Sequence, residues 1–258
     1  MEPLLFEPLL KEAPWGGQGL ARFGKELPLH RPIGESWDLV DLPEDQSWVR
    51  SGRWAGTTLE ALLALHRRVI LGDVPLLQGR FPLLVKLIQA QRTLSVQVHP
   101  DGKACRRLGK GRPKTEAWVI LEREAEGEIF LGFREGVTRR DLEAVLPGEG
   151  VVDLLRAIPV EPGMAFLVPA GTVHAIGAGV TLLEVQQPSD TTFRLYDWGR
   201  RGLDGQPRPL HIAEALESLC FDASPPMTSW TEAPPLWGVL GAAVGRAASG
   251  DGAAPAEL

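Results

Sequence analysis

Residues 94–100 read LSVQVHP, and apolar and polar side chains alternate strictly as far as His99. Such alternation is typical of a β-strand that places one face in a core. Because side chains two positions apart lie on the same face of a strand, Gln97 and His99 project together. The run therefore predicts a strand that carries an amide and an imidazole into the interior of a β-rich fold.

A second segment of the sequence also predicts an inward-facing histidine. Residues 164–174 read MAFLVPAGTVH, in which a predicted strand ends and a proline and a glycine force a tight turn. The next strand then turns the imidazole of His174 inward. His99 and His174 are therefore a candidate metal-binding pair, although a lone histidine is more often structural. The other histidines lie in polar or helical surroundings and are interpreted as structural: His30, His66 and His211.

The remaining chain is also rich in short strands. Further strands are predicted over residues 36–40, 83–88, 115–121, 128–133, 180–186 and 192–196. Many short strands separated by turns predict a barrel or a sandwich, and the helices among them make the fold class mainly β with helices, α+β.

Helices and turns separate these strands. Helical segments are predicted over about 57–68, capped by Thr57 or Thr58, over 137–157 in two pieces (137–145 and 151–157), and over 212–219. Residues 14–17 read PWGG and residues 31–34 read RPIG, and both predict turns.

The composition argues against several classes of function. The 258 residues are 44% apolar and 23% charged, with a net charge of −6 and no long basic block, so no nucleic-acid partner is expected. No run of about 18 apolar residues predicts a membrane span, and no signal peptide is predicted. The two cysteines, Cys105 and Cys220, match no CxxC pattern. They are expected to be free thiols in a cytoplasmic protein, with a single disulfide as the alternative.

Four motifs, in order, resemble those of one family. Residues 163–174 resemble the second metal-binding motif of the cupin superfamily, with Ala178 where that motif often has asparagine. Four segments taken together are very similar to the type I mannose-6-phosphate isomerases: 95–100 (SVQVHP), 114–118 (KTEAW), 169–175 (PAGTVHA) and 184–198 (EVQQPSDTTFRLYDW). The likeness covers roughly residues 3–220 and includes PWGG at 14–17 and IGESW at 33–37.

The resemblance implies a cupin fold, that is, a jelly-roll-like β-barrel with a helical insertion. Residues 1–222 would form the metal-binding isomerase core, and residues 223–258 a short C-terminal segment rich in Pro, Gly and Ala. Many family members carry a second β-rich module at this point. Here the module is expected either to be reduced to a few strands, for example within 236–244, or to have been lost, and the tail from about residue 249 is expected to be flexible.

The resemblance also implies a set of metal ligands: Gln97, His99, Glu116 and His174. Gln97 stands where the first cupin motif has a histidine. One divalent cation per chain is expected, zinc first, because Zn²⁺ accepts imidazole and carboxylate readily. The amide oxygen is a harder ligand and leaves Fe²⁺, Co²⁺ or Mn²⁺ open.

The family interconverts mannose 6-phosphate and fructose 6-phosphate through a cis-enediol, so the resemblance implies a small-molecule sugar phosphate as the partner. It places several residues near that substrate: Lys86, Ser95, Lys114, Glu184 and Arg194. We expect Arg194 to stabilise the enediolate. Lys114 is expected to transfer protons or orient oxygens, and Glu184 to act as an acid or base. Lys86 and Ser95 are expected to contact the phosphate or hydroxyl groups, and Trp15 to line the pocket.

Structural interpretations compete with these roles. Glu184 would serve equally well as the buried partner of a nearby cation, and Trp15 and Trp37 as core aromatics. Three alternatives exist for the whole protein: a non-catalytic metal-containing homologue that binds sugar phosphates, an isomerase of a related free sugar, and an iron cupin of oxygen chemistry. The presence of Lys114, Glu184 and Arg194 argues against the first, and Gln97 in place of a histidine argues against the last. The sequence leaves the oligomeric state open.

Overall fold

The computed structural model describes residues 3–124 and 126–221. The strands are β1 (Leu9–Gly17), β2 (Ile33–Leu39), β3 (Leu84–Gln89), β4 (Val96–Val98), β5 (Glu116–Arg123), β6 (Glu128–Phe133), β7 (Leu155–Pro159), β8 (Ala165–Val168), β9 (His174–Ile176), β10 (Val180–Gln186) and β11 (Phe193–Tyr196). The α-helices are α1 (Leu59–Leu71), α2 (Gly102–Leu108), α3 (Arg139–Val145) and α4 (Ile212–Ser218). Short 3-10 helices cover Gly19–Phe23 and Glu149–Leu154.

The strands form two antiparallel sheets that share an apolar core. The first sheet has the order β1-β2-β3-β10-β5-β8, and the second has the order β11-β4-β9-β6-β7. Trp118, Ile120 and Leu182 from the first sheet pack in one cluster with Ile129 and Leu131 from the second. Among the described residues no ladder joins the two sheets, so the jelly-roll is a flattened sandwich. The expected fold class, mainly β with helices, is confirmed.

A second apolar core lies on the outer face of the five-stranded sheet. Phe130 stands between the two inward residues of β6 and therefore points outward. It packs in one cluster with Val98 of β4, Leu195 of β11, Leu142 of α3 and Ala215 of α4. The helices thus cover this sheet, and the residues that alternate with the outer ones are free to face the interior.

The helical segments differ in part from the prediction. The first helix is α1, and the Thr58 hydroxyl caps it by accepting a hydrogen bond from the Ala61 N–H. The piece predicted over 137–145 corresponds to α3. The helix predicted over 151–157 is wrong in its second half: a 3-10 helix ends at Leu154, and from Leu155 onward β7 pairs with β6 at the edge of the sheet. Leu155 packs in the outer core and Ile158 against the inner core, as the alternation of a strand requires.

The predicted turn over 14–17 is also wrong, because these residues belong to β1. Gly16 lies against the backbone of β2, where an added Cβ would be only 2.5 Å from the Gly34 nitrogen. The glycine therefore permits two strands to approach closely rather than making a turn. Ile33 and Gly34, from the second predicted turn, already belong to β2.

Several expectations concern chain outside these elements. The predicted strands within 236–244 and the flexible tail from residue 249 lie outside the described residues. Within the described residues, no helix is long and apolar enough to cross a membrane. Cys105 and Cys220 are free thiols.

The outer core generates a stability prediction. Leu142 is fully buried in α3, whereas Leu65 in α1 is 72% exposed. Leu142→Ala should lower the free energy of unfolding by about 2–5 kcal/mol, because it removes buried apolar contacts and leaves a cavity. The same truncation at Leu65 should change it by less than about 0.5 kcal/mol. Urea unfolding followed by circular dichroism measures both, and equal effects would contradict a stabilising outer core.

Candidate active site

A row of side chains crosses the middle of the six-stranded sheet. Trp37 on β2 pairs with Lys86 on β3. Lys86 pairs with Glu184 on β10, which in turn pairs with Trp118 on β5. Residues opposite one another in antiparallel strands have adjacent side chains. The register of four strands therefore places a lysine and a carboxylate between two tryptophans.

A second row crosses the five-stranded sheet. Arg194 on β11 pairs with Gln97 on β4, and Gln97 pairs with His174 on β9. The residues that flank Gln97 and Arg194 in sequence all belong to the outer core: Val96, Val98, Phe193 and Leu195. Gln97 and Arg194 therefore point to the opposite face, into the interior.

His99, Glu116 and His174 form a buried cluster at which the two rows meet. One potential ligand atom from each lies within 4.8 Å of the others, and each side chain is 1% exposed. The distance from His99 Nε2 to Glu116 Oε1 is 3.1 Å, and that from His174 Nε2 to Glu116 Oε2 is 3.7 Å. The indole N–H of Trp118 donates to Glu116 and Glu184 and so links the first row to the cluster.

The two histidines present lone pairs to the centre of this cluster. His99 Nδ1 is 2.8 Å from the Thr191 carbonyl oxygen, and His174 Nδ1 is 2.9 Å from the Thr172 carbonyl oxygen. Since a carbonyl oxygen only accepts, both Nδ1 atoms carry the hydrogen. Burial and the nearby Lys114 charge lower the pKa of His99 to about 3, and burial also lowers the pKa of His174. Both rings are therefore neutral, with unprotonated Nε2 atoms.

This arrangement fits a divalent cation. An Nε2 lone pair of His99 faces a carboxylate oxygen of Glu116, and two acceptors at 3.1 Å repel each other unless a positive charge lies between them. Histidine ligands usually donate the other ring N–H to a carbonyl or carboxylate, as both rings do here. Two imidazoles and a carboxylate are a donor set that zinc and related metals accept.

Glu116 carries its charge in spite of burial. Burial alone would raise the pKa of Glu116, but the Lys114 ammonium group lies 2.7 Å from Oε1. The positive charge of Lys114 lowers the pKa of Glu116 below the usual range of a carboxyl group. The cluster thus offers an ionised ligand at neutral pH.

Gln97 reaches the cluster with its amide N–H. The Gln97 Nε2 atom is 3.3 Å from His174 Nε2, while its Oε1 accepts a hydrogen bond from the Ser95 hydroxyl at 3.1 Å. A half-turn of the amide would exchange the two atoms and direct the oxygen toward the cluster. Ser95, expected near the substrate, therefore also orients this amide.

Glu184 and Lys86 form a second buried charge group beside the cluster. Lys86 Nζ lies 3.5 Å from Glu184 and 3.3 Å from Glu35, and 4.6 Å from the centre of the Trp37 ring. Burial and the charge of Glu116 raise the pKa of Glu184 to about 7, although Lys86 opposes this shift. Glu184 is therefore both a partner of Lys86 and a group that exchanges protons near neutral pH.

A cavity of about 310 Å³ opens beside these groups. Its lining includes every predicted site residue except His99 and His174. These two histidines contact Glu116 and Gln97, which do line the cavity. Trp15 is 4% exposed, belongs to the inner core and also lines the cavity. The structure thus brings all the predicted site residues together, and their roles are taken up below.

Arg194 lies in the cavity wall with much of its side chain enclosed. Its Nη1 donates to the Pro209 carbonyl oxygen at 2.8 Å, whereas its buried Nε has no hydrogen-bond partner among the described residues. Burial, with the charge of Arg208, lowers the pKa of Arg194 to about 10. The guanidinium group therefore remains charged at neutral pH, and its Nε donor is available to a ligand.

Sequence reasoning missed several lining residues: Glu35, Trp118, Asp190, Thr192 and Arg208. Two of them could have been predicted, because side chains two positions apart on a strand lie on the same face. Glu35 precedes Trp37 by two positions, and Trp118 follows Glu116 by two. Arg208 lies outside any strand, and no periodicity identifies it.

Two facing antiparallel sheets around a buried His/His/Glu cluster define a class of β-sandwich proteins with an internal metal-binding site and an adjacent cavity. Comparison with known proteins identifies the family. A family model described as the catalytic domain of type I phosphomannose isomerase matches residues 4–126. The chain belongs to the type I phosphomannose isomerase family.

Individual relatives agree. The mannose-6-phosphate isomerase ManA of Bacillus subtilis is 42% identical over 218 residues, which are 84% of this chain and 67% of that protein. A mannose-6-phosphate isomerase of Streptococcus mutans is 37% identical over 84% of this chain and 68% of its own length. The crystal structure of the mannose 6-phosphate isomerase from Bacillus subtilis superposes with a TM-score of 0.80, at 35% identity, over 87% of this chain and 71% of that one.

The cluster generates a metal-binding prediction. After incubation with a zinc salt and dialysis, His99→Gln should retain less than about a tenth of the metal bound by the unaltered protein, because it loses an inward lone pair. His66→Gln is the matched control, since the His66 ring packs at a tilt against Trp54 and lies outside the cluster. Elemental analysis by mass spectrometry measures the metal. Full metal content in His99→Gln would remove His99 from the ligand set.

Proposed function

We propose that the protein is a metal-dependent aldose–ketose isomerase that interconverts mannose 6-phosphate and fructose 6-phosphate through a cis-enediol. One observation carries the proposal: the buried His99, Glu116 and His174 cluster adjoins a cavity that also holds Glu184 and Arg194. The names of the relatives, both mannose-6-phosphate isomerases, support it. The two free cysteine thiols, and a proposed substrate that is a phosphorylated sugar, support a cytoplasmic location.

The reaction requires a proton to move between two neighbouring carbons while negative charge develops on oxygen. The ligands would be His99, Glu116 and His174, with Gln97 as the fourth after a half-turn of its amide, and they would hold one divalent cation per chain. Zinc is our first choice, because imidazole and carboxylate donors in a buried site suit it. When bound, the cation supplies electrostatic stabilisation of negative charge on a substrate oxygen.

Glu184 is our candidate for the acid–base group. A general base is most effective when its pKa lies near the working pH, and the pKa of Glu184 is about 7. The Trp118 N–H donates to one carboxylate oxygen at 3.0 Å and fixes its orientation. The other oxygen lies 3.5 Å from Lys86 and has no hydrogen-bond partner among the described residues. It remains available to a substrate proton.

Arg194 and Lys114 complete the proposed catalytic set. Arg194 is the cross-strand neighbour of Gln97, so its guanidinium group can stabilise an enediolate formed beside the ligands. Lys114 contacts Glu116 at 2.7 Å and lines the same cavity, where it can orient substrate oxygens. Lys86, Ser95 and Trp15 are proposed to contact the sugar, since all three line the cavity.

An assay with a chelation arm tests the proposal. Turnover of mannose 6-phosphate, measured by coupling fructose 6-phosphate to NADP reduction, should be abolished by a chelator and restored by zinc. Free mannose is the control substrate, and its product fructose is measured by chromatography, because the coupled assay detects phosphorylated products alone. Metal-loaded protein that binds mannose 6-phosphate without turnover would indicate a non-catalytic homologue, and faster turnover of mannose would indicate a free-sugar isomerase.

The pKa of Glu184 generates a prediction of pH dependence. As a base Glu184 must be ionised, so kcat/KM should fall as the pH falls through its pKa, at or below about pH 7. A cation bound at the cluster would offset the charge of Glu116 and can only lower this value. Glu184→Gln should reduce kcat/KM by about 100-fold or more and remove the acidic limb of the profile.

A second carboxylate serves as the control for this experiment. Glu122→Gln changes a half-exposed residue on β5 that pairs with Arg22, and should leave the profile unchanged. An acidic limb that persists in Glu184→Gln, with a similar midpoint, would assign the titration to another group.

A further inference from the structure

The turn between β8 and β9, residues 169–173, is bonded through its backbone to two of the candidate ligands. The Gly171 N–H donates to the His99 carbonyl oxygen at 2.8 Å. The Thr172 carbonyl oxygen accepts from His174 Nδ1 at 2.9 Å, and such a bond orients a ligating imidazole. The positions of both histidines therefore depend on this turn, which we call the ligand turn.

The third candidate ligand is tied to the same turn. The Ala170 N–H donates to the Thr115 hydroxyl at 3.2 Å, and Thr115 directly precedes Glu116. A shift of the ligand turn would therefore change the distances among all three ligands. A metal site requires each ligand distance to lie within about 0.2 Å of its preferred value, so such a shift would lower the affinity for the cation.

The ligand turn has a flexible residue at its centre. Gly171 has a φ angle of +90°, a conformation that glycine adopts readily and other residues rarely do. The Thr172 N–H closes the turn by donating to the Pro169 carbonyl oxygen at 3.1 Å, but the Thr172 hydroxyl has no hydrogen-bond partner among the described residues. Contacts from neighbouring chain are therefore needed to hold the turn in one position.

The three residues that follow α4, residues 219–221, supply such a contact, and we call them the brace. The Cys220 N–H donates to the Gly171 carbonyl oxygen at 2.9 Å. The two segments approach closely, since a Cβ added to Gly171 would be only 3.2 Å from Cys220 Cβ and from the Ser218 carbonyl oxygen. Gly171 is thus bonded on one side to the His99 segment and on the other to the brace.

The outer core holds the brace in place. Leu219 and Phe221, on either side of Cys220, both pack against this core. The Phe221 ring stacks on Phe133 at the end of β6, with parallel planes and ring centres 5.1 Å apart. The Leu219 N–H donates to the Ala215 carbonyl oxygen of α4. The brace therefore links the outer core to the ligand turn.

We propose that residues 219–221 are positioning residues of the metal site. Leu219 and Phe221 hold the Cys220 N–H against Gly171, and this bond fixes the ligand turn and raises the affinity for the cation. The inference rests on the metal centre of the proposed function. The three residues are not among those that line the cavity, so they act on the metal and not on the sugar.

Two substitutions at one position test the brace. Cys220→Pro removes the N–H donor, and Leu219, with a ψ angle of 139°, already has the backbone conformation that precedes a proline. It should raise the zinc dissociation constant by about 5-fold, the effect of losing one backbone hydrogen bond. Competition with a chromophoric chelator measures this constant. Cys220→Ala keeps the N–H donor and is the matched control, so it should leave the constant unchanged.

Phe221→Ala tests the brace without a proline. It removes the stack on Phe133 and frees the brace, so it should raise the zinc dissociation constant by about 3-fold or more. Leu142→Ala truncates the same outer core within α3 and controls for lost stability. It should lower the free energy of unfolding and leave the zinc dissociation constant unchanged, because it leaves the brace in place.

The outcomes separate this inference from the proposed function. An unchanged zinc dissociation constant in folded Cys220→Pro and Phe221→Ala overturns the brace. An equal rise in Leu142→Ala and Phe221→Ala also overturns it, because general destabilisation would then explain the effect. If circular dichroism shows that Cys220→Pro does not fold, Phe221→Ala decides. Unaltered protein that binds zinc without turning over mannose 6-phosphate overturns the proposed isomerase, whereas a raised constant in the brace variants alone still supports the brace.

Discussion

Glu116 is ionised inside the sandwich, and the cost of burying its charge determines what must surround it. A buried carboxylate without partners would take up a proton instead. Lys114 at 2.7 Å prevents this, and it leaves the His99 and His174 lone pairs facing a negative oxygen. The charges and lone pairs of Lys114, Glu116 and the two imidazole rings are balanced only when a further positive charge is present. This deeply buried charge is therefore also the best evidence for what the fold binds.

The sheets solve the problem of bringing these groups together by register alone. Each polar row follows cross-strand pairs, so that Lys86 and Glu184 on one sheet, and Gln97 and Arg194 on the other, need no loop to position them. Side chains fixed by two neighbouring strands lose little freedom when substrate binds. A one-residue slip of β4 would turn Gln97 to the outer core and destroy the site. The Val96 and Val98 contacts of that core oppose such a slip.

Local alternation explains which parts of this molecule could be predicted from sequence. Gln97 and Arg194 each stand between apolar residues, and their inward direction follows from the period of a strand. The partner of each strand does not follow, so the pairing of Glu184 with both Lys86 and Trp118 was beyond reach. The failure at residues 155–158 is of another kind. A short apolar segment fits a helix or an edge strand equally well, and tertiary pairing with β6 decided between them.

The same reasoning explains why the helices lie where they do. An inner face that carries charged rows contributes less apolar burial than an ordinary core, so the five-stranded sheet requires apolar contacts elsewhere. Leu142 of α3 and Ala215 of α4 supply them on the outer face, together with Phe130 and Leu195. Burial there offsets part of the cost of the polar interior. Stability and chemistry are thus assigned to opposite faces of one sheet, and a substitution on the outer face can weaken the fold without touching the substrate cavity.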